Sequence, residues 1–299
     1  MIVVTGATGF VGEEVVRQAR EAGYPVRAIV REPQRAQWLA DRYGVELFHG
    51  NVLYAPSIDG AMKDAKCVIH LVGIIHEWKE NTFERTHAQA TKHVIDEAKK
   101  AGVKRFVHMS ALGTRENARS RYHQTKWAGE EFVRKGGIAW TIFRPSFIYG
   151  ARDKGINTLA GIVRRAPFIP VLGRGQTKIQ PISVENVAKA FVGAVRNDES
   201  IGKIYDLCGP EAFTWNELYD KLQGILGTRK RKIHVPLAVA RMQAAILEKV
   251  LANPPFTRDQ LLMLQEDNVG DPKPAEQEFV LEQPEFEEGV ARYLNRDAG

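Results

Sequence analysis

The chain lacks most of the features that would take it out of the ordinary globular class. Among 299 residues there are only two cysteines, Cys67 and Cys208, each inside a strand-like segment. A disulfide framework is excluded, and both read as small core hydrophobes in a reducing compartment. No apolar run is long enough to cross a bilayer. The first strand-like residues begin at Ile2, which is read as leaving no room for a signal or transit peptide, so a cytoplasmic location is expected. None of the eight histidines makes a helix-spaced pair with an acidic partner, and no metal site is predicted. Internal repeats and low-complexity segments are missing. The net charge is a modest +6, with one dense basic run, Arg229-Lys230-Arg231-Lys232. No interleaved aromatics or nucleic-acid motif accompany it, so no nucleic-acid partner is expected. The run reads as a solvated loop entering a strand at Ile233, with an acidic protein or anionic lipid surface as the alternative.

What is present starts at once. Val3-Val4-Thr5-Gly6-Ala7-Thr8-Gly9-Phe10-Val11-Gly12 is an apolar strand that runs into a glycine turn and then a helix. Gly6 suits a tight turn, Gly9 a close approach of backbone to a pyrophosphate, and Gly12 the packing of the new helix on the strand. The helix N-terminus offers free N–H groups and a positive dipole end to such an anion. The flanks agree: Val11, Val15, Val16 and Ala19 form an apolar helix face, and Gly23 reads as its C-cap.

At 44% hydrophobic residues the chain can bury a large core. Strand-like and helix-like segments alternate through the first half: strands at 2–5, 26–30, 45–49, 67–72, 105–110 and 139–144, helices including 82–101 and 122–135. Alternation with right-handed crossovers predicts an α/β fold with a doubly wound parallel sheet and a ligand at the carboxyl ends of the strands. Residues 1–150 make the dinucleotide-binding unit, completed by about 181–208 through a helix (186–196) and a returning strand (203–208). Residues 151–180 and 209–270 read as a smaller, mostly helical C-terminal substrate or lid lobe. Residues 271–299 read as an acidic, proline-containing tail that wraps the surface. The segment Val235–Leu251 is apolar at helical spacing; lobe packing is the default, a hydrophobic substrate channel or shallow membrane contact the alternative.

Tyr122-His123-Gln124-Thr125-Lys126 places Tyr122 and Lys126 on one helix face. An ammonium near a phenol favours the phenolate, so the tyrosine is expected to exchange a proton near neutral pH. Ser110, at the carboxyl end of a strand, is placed to polarise a carbonyl oxygen. His70, His76 and His87 read as core or surface residues near the cleft.

These motifs together resemble the short-chain dehydrogenase/reductase superfamily of the extended or atypical kind, which includes NAD(P)-dependent epimerases and dehydratases. The resemblance rests on Thr-Gly-x-x-Gly-x-x-Gly, Tyr-x-x-x-Lys, Ser110 and Arg144-Pro145-Ser146-Phe147-Ile148-Tyr149-Gly150, and covers most of the chain. Residues 109–113, 180–184 and 261–268 are similar, within it, to the nucleotide-binding accessory subunit of respiratory complex I and its free-standing bacterial relatives. The resemblance implies a Rossmann-type sheet and a catalytic set of Ser110, Tyr122 and Lys126, with Tyr122 as acid/base and Lys126 also holding the cofactor ribose. It implies cofactor contacts from Gly6, Thr8, Gly9, Phe10, Val11 and Gly12. Leu71, Val72 and Gly73 would line the ribose and pyrophosphate, and Asn51 and Val52 the adenine. Pro145, Phe147 and Ile148 would meet the nicotinamide. Asn51 stands where an aspartate is usual, and His87 where many members carry a supporting asparagine.

Charge argues the cofactor. The second strand ends in Arg31, with Arg35 a turn later and Glu32 one residue late for a ribose-binding acid. A guanidinium pairs with a 2′-phosphate, so NADP(H) is favoured over NAD(H). The expectation is an NADP(H)-dependent oxidoreductase, or an epimerase- or dehydratase-type enzyme, acting on a small molecule with a hydrophobic body as one option. The alternative is a non-catalytic NADPH-binding accessory, assembly or sensor protein linked to respiratory complex I or quinone metabolism, peripheral to the inner face of the membrane. Oligomeric state is left open.

Overall fold

The runs Ile2–Thr5 and Cys67–His70 are buried at every residue, as parallel strands covered on both faces must be. In the structure, a computed structural model describing residues 1–252 and 254–294, they lie at the centre of a seven-stranded parallel sheet. Its strands are β1 (Ile2–Thr5), β2 (Val26–Val30), β3 (Glu46–His49), β4 (Cys67–His70), β5 (Arg105–Met109), β6 (Ala139–Pro145) and the edge strand Lys203–Leu207. From that edge the order is Lys203–Leu207, β6, β5, β4, β1, β2, β3. The chain thus winds one way from β1 and the other way from β4, and it is at the carboxyl edge where the direction reverses that doubly wound sheets form their ligand crevice. The fold is the Rossmann-like α/β arrangement expected.

Side chains alternate between the two layers. Val4 and Val107 join the core under α1 (Phe10–Glu21), α2 (Pro33–Tyr43) and the helix Val184–Gly193. Val3 and Phe106 join the core under α3 (Ala90–Lys100) and α4 (Arg121–Lys135). A third core, with Ile156, Ile169, Leu218 and Phe286, lies among the helices Gly155–Arg165, Trp215–Ile225 and Phe286–Leu294. Cys67 and Cys208 are free and buried.

Three details differ from the sequence reading. The helix expected at 82–101 begins as a π-helical segment, Glu84–Gln89, before α3; the bulge lets the His87 ring reach both Ile74 and Thr125. Strand β4 stops at His70: the Leu71 N–H still donates to the Thr5 carbonyl at 3.2 Å, and Leu71 and Val72 then pass against Gly6. The tail does more than wrap the surface. Its residues 273–279 form a helix whose Phe279 ring sits 5.2 Å from both Phe143 and Tyr205, because a surface strap needs apolar anchors.

Helix α4 is fixed to the sheet by Glu130, which is fully buried. Glu130 accepts from Arg144 Nε at 2.8 Å and Nη2 at 2.7 Å, and from Arg134 at 2.8 Å. Removing one partner of such a group leaves the other charge uncompensated. Glu130→Ala is expected to lower unfolding free energy by about 3 kcal/mol, read as a fall in the urea midpoint.

Candidate active site

Beyond β1 the chain turns through Gly6, whose φ of +76° only glycine adopts without strain. Gly9 closes the turn, its N–H donating to the Gly6 carbonyl at 3.0 Å. Gly9 is also the N-cap of α1, and no side chain caps that helix. A Cβ on Gly12 would collide with the Gly6 carbonyl, so α1 lies on the turn only because residue 12 is glycine. The result is an uncapped helix N-terminus beside exposed Thr8 and Gly9, with its positive dipole end at the crevice.

The other wall comes from the segment after β4. Leu71 and Val72 backbone atoms lie 3.2 and 3.3 Å from the position a Gly6 Cβ would take, and a Cβ on Gly73 would lie 2.9 Å from Lys126 Nζ. The Phe10 ring reaches within 3.0 Å of the Cβ position of Gly150, which joins the glycine turn to the segment after β6. Val11, Val52 and Leu71 are buried in the core, so their side chains are used in packing. Phe147 points its ring edge-on at Trp215, 6.1 Å away in the third core, and Ile148 pairs with Ile182.

Helix α4 is capped by Ser120, which accepts from the His123 N–H, and presents Tyr122 and Lys126 one turn apart. Lys126 is 2% exposed, and its Nζ donates to the Met109 carbonyl at 3.1 Å. Among the described residues no carboxylate pairs with it. Burial pulls its pKa down to about 8, with Glu130 pulling the other way. Tyr122 is half-buried among rings, edge-on to Phe83, His87 and His123 with centroids 5.8, 5.2 and 5.2 Å away. Burial pushes its phenol up to about 12. This corrects the expected phenolate: the Lys126 ammonium is directed at the Met109 carbonyl, and desolvation decides the tyrosine. At neutral pH Tyr122 holds its proton and is a donor.

Ser110 is 2% exposed. Its hydroxyl donates to Thr114 Oγ1 at 3.3 Å, and among the described residues no hydrogen bond joins it to Tyr122. His87 sits behind Tyr122, 1% exposed. Its Nδ1 is 2.9 Å from Thr125 Oγ1, and its Nε2 meets Ile74, 3.1 Å from the N–H and 3.0 Å from the carbonyl. The neutral imidazole therefore bridges Thr125 on α4 and the Ile74 backbone, donating from one ring nitrogen and accepting at the other. Burial, reinforced by the Lys126 charge, holds it well below the usual range and so neutral. His70 is buried in the core, its Nδ1 2.6 Å from Thr5 Oγ1 and its Nε2 3.1 Å from Thr91 Oγ1. His76 is half-buried.

At the adenosine end, Arg31 is exposed just before α2, and Arg35 pairs with Glu32 at 3.1 Å. Asn51 Oδ1 accepts the Leu53 N–H, which leaves its amino group for another acceptor. Arg31 and Asn51 form no contact with the Tyr122–Lys126 end among the described residues.

Sequence reasoning missed the parts that come from far along the chain. Asp259 accepts the N–H groups of Arg121 and Tyr122 at 2.8 and 3.1 Å, capping α4 from outside. Asn268 accepts from the Ser146 hydroxyl at 2.6 Å and donates to the Leu112 carbonyl at 3.3 Å. The Thr257-x-x-Gln260 capping box marks a helix start, but nothing in it says what Asp259 reaches. Thr114, Thr125 and Glu130 carried no signal beyond their proximity to the motif residues.

A doubly wound parallel sheet whose glycine turn feeds an uncapped helix at the switch point defines a dinucleotide-binding protein. The chain belongs to the NAD(P)H-binding family, whose sequence pattern matches residues 6–198. It is 32% identical over 259 residues to the mitochondrial NADH dehydrogenase [ubiquinone] 1 alpha subcomplex subunit 9 of Arabidopsis thaliana, covering 85% of this chain but only 64% of that protein. It is 30% identical over 238 residues to the ceramide reductase of Caulobacter vibrioides, covering 79% of this chain and 74% of that one. The NADPH-dependent quinone oxidoreductase QOR2 of Escherichia coli, solved with NADPH, shares the fold with a TM-score of 0.79 at 21% identity, over 99% of this chain and 100% of that one.

The residues fit the cofactor of the family. The Gly6–Gly12 turn and the uncapped α1 suit a pyrophosphate, and Lys126 is a buried donor without an acidic partner, suited to hydroxyl oxygens. That burial has a measurable cost. Because the folded value of about 8 lies below the ordinary lysine value of 10.5, the penalty is full below pH 8 and fades as pH rises from about 8 to 10.5. Lys126→Met is expected to stabilise the nucleotide-free protein at pH 7 by on the order of 3 kcal/mol, with the gain vanishing toward pH 10.5, while nucleotide affinity falls. Urea midpoints across pH check it.

Proposed function

We propose that this protein is an NADP(H)-dependent oxidoreductase of the short-chain dehydrogenase/reductase type, acting on a small molecule with an apolar body. The observation that carries the reading is Lys126, buried without an acid one turn from Tyr122 and against Gly73 at the crevice. The cofactor supplies hydride when bound. Tyr122 gives its phenolic proton to the substrate oxygen, which suits a group held protonated at neutral pH. Lys126 holds ribose hydroxyls, and Ser110, now bonded to Thr114, holds the substrate oxygen. Asp259 and His87 position α4 beneath them. Residues 1–150 and about 181–208 form the cofactor unit in this reading, and 151–180 with 209–270 the substrate lobe. The likeness to a ceramide reductase supports reductase chemistry. The place of work proposed is the cytoplasm, at the inner face of the membrane as a peripheral protein.

Preference for NADP(H) follows from Arg31, exposed beside the N-terminus of α2, while Glu32 is engaged by Arg35. Arg31→Asp is expected to raise the Kd for NADPH at least about tenfold while that for NADH changes little. Fluorescence titration of both nucleotides decides it.

The test of catalysis is NADPH oxidation by the pure protein against a fractionated metabolite and quinone extract. Tyr122→Phe is expected to lose at least about a hundredfold in rate with NADPH affinity nearly unchanged; equal rates sink the proposal. The second reading is a non-catalytic NADPH-binding accessory protein of respiratory complex I or quinone metabolism, favoured by the identity with the Arabidopsis subunit. Tight NADPH binding, no turnover in any fraction and co-purification with a membrane complex would select it.

A further inference from the structure

The helix Leu237–Val250 is apolar on two faces, and among the described residues only one is covered. Ala240 and Ala244 are fully buried with Leu261. On the other side Val239, Met242, Ile246 and Val250 form a line exposed at 39%, 63%, 59% and 71%. A contiguous apolar stripe of this kind marks a surface that is covered in use. The strand leading into the helix, Lys232–Val235, also carries an exposed apolar residue, Ile233. It pairs in parallel with Ile169–Leu172, Lys232 beside Ile169 and Ile233 beside Pro170. Alternation puts Phe168, Arg231 and Ile233 on one side of this ribbon. All three are exposed, while Ile169 is fully buried.

The basic run divides along the same line. Lys230 Nζ donates to the carbonyls of Arg164 and Ala166, and Lys232 Nζ pairs with Asp220 at 2.7 Å. Arg229 and Arg231 are exposed and, among the described residues, have no ion-pair partner. Lys249, at the edge of the helix stripe, is in the same state. The acid next to it, Glu248, is engaged by Arg258 at 2.8 Å. The uncompensated charge of this surface is therefore positive.

We propose that this surface seats the protein on an anionic lipid bilayer. The stripe enters the acyl boundary, and Arg229, Arg231 and Lys249 meet the headgroup phosphates. Apolar side chains bordered by free cations match the layering of headgroup over hydrocarbon, whereas an apolar protein groove would supply no anion. Among the described residues no helix is long and apolar enough to span, so Leu237–Val250 lies in the interface plane. The inference names the surface behind the peripheral location proposed above and rests on that location, not on turnover at Tyr122.

Co-sedimentation of the full chain with vesicles tests it: phosphatidylglycerol and phosphatidylcholine in equal parts, against phosphatidylcholine alone, at low and high salt, with NADPH affinity measured alongside. Binding to the mixed vesicles, released by salt and nearly lost on neutral ones, is expected. The double variants M242E/I246E and R229E/R231E should each cut partitioning at least about tenfold with NADPH affinity unchanged, which shows that the fold is intact. No partition onto mixed vesicles overturns the proposal, as does equal partition onto neutral ones. So does M242E/I246E that binds lipid as the parent does, or that turns a soluble dimer into a monomer and so reveals an interface between copies. Vesicle binding without NADPH oxidation would sustain this inference while the catalytic reading fails; oxidation without vesicle binding would do the reverse.

Discussion

Two parallel hydrogen bonds from the Arg144 guanidinium to the buried Glu130 carboxylate, at 2.8 and 2.7 Å, hold α4 against the end of β6. Almost everything at the candidate site hangs from that helix. Glu130 lies one turn beyond Lys126, and Lys126 one turn beyond Tyr122, so anchoring the carboxylate sets the depth and rotation of both. Above the anchor, Thr125 ties the same helix to His87, and Asp259 caps its first turn. A helix held at its cap, middle and far turn has little freedom to reorient, which is what placement of a proton donor requires.

The electrostatics follow from the same burial. His70 is pushed down to about 3, and His87 and His108 lie well below the ordinary imidazole range, because a charged ring would lose its hydration with no carboxylate to replace it. The rings behind the crevice are thus neutral, and Lys126 is left as the cation among them. Its own proton is weakly held for a lysine. A ligand bringing hydroxyl oxygens, and phosphates nearby, would offset that desolvation. Thr5 and His70, in register on β1 and β4, link the end of β1 to Thr91 on α3 through the two nitrogens of the His70 ring, while His108 stacks on that ring 5.4 Å away.

Much of this was legible in the residues. Gly6 makes the turn and Gly12 lets α1 pack on it, as their spacing implied, because a turn and the helix after it are local and need no partner to be read. The strands of the sheet were legible for the same reason, down to differences of a residue or two at their ends. Less legible were features set by competition between environments. The Tyr122–Lys126 spacing promised a phenolate, but spacing says nothing of solvent, and desolvation sets the phenol at about 12. Residues 271–299 read as an acidic surface tail, since the six apolar anchors that enter the cores, Ala275, Phe279, Leu281, Phe286, Val290 and Leu294, are outnumbered by charges around them.

Distance along the chain marks where reading failed. Asp259 is 137 residues from Tyr122 and Asn268 is 122 from Ser146, and no periodicity links such pairs. The sequence by itself determined the α/β class, the glycine turn and the helix that carries tyrosine and lysine on one face, because these depend on neighbours within a few turns. Only the tertiary structure decided which groups are desolvated, which cations of the basic run are already paired, and which far residues cap α4. Those depend on what packing brings together and what it shuts away from water.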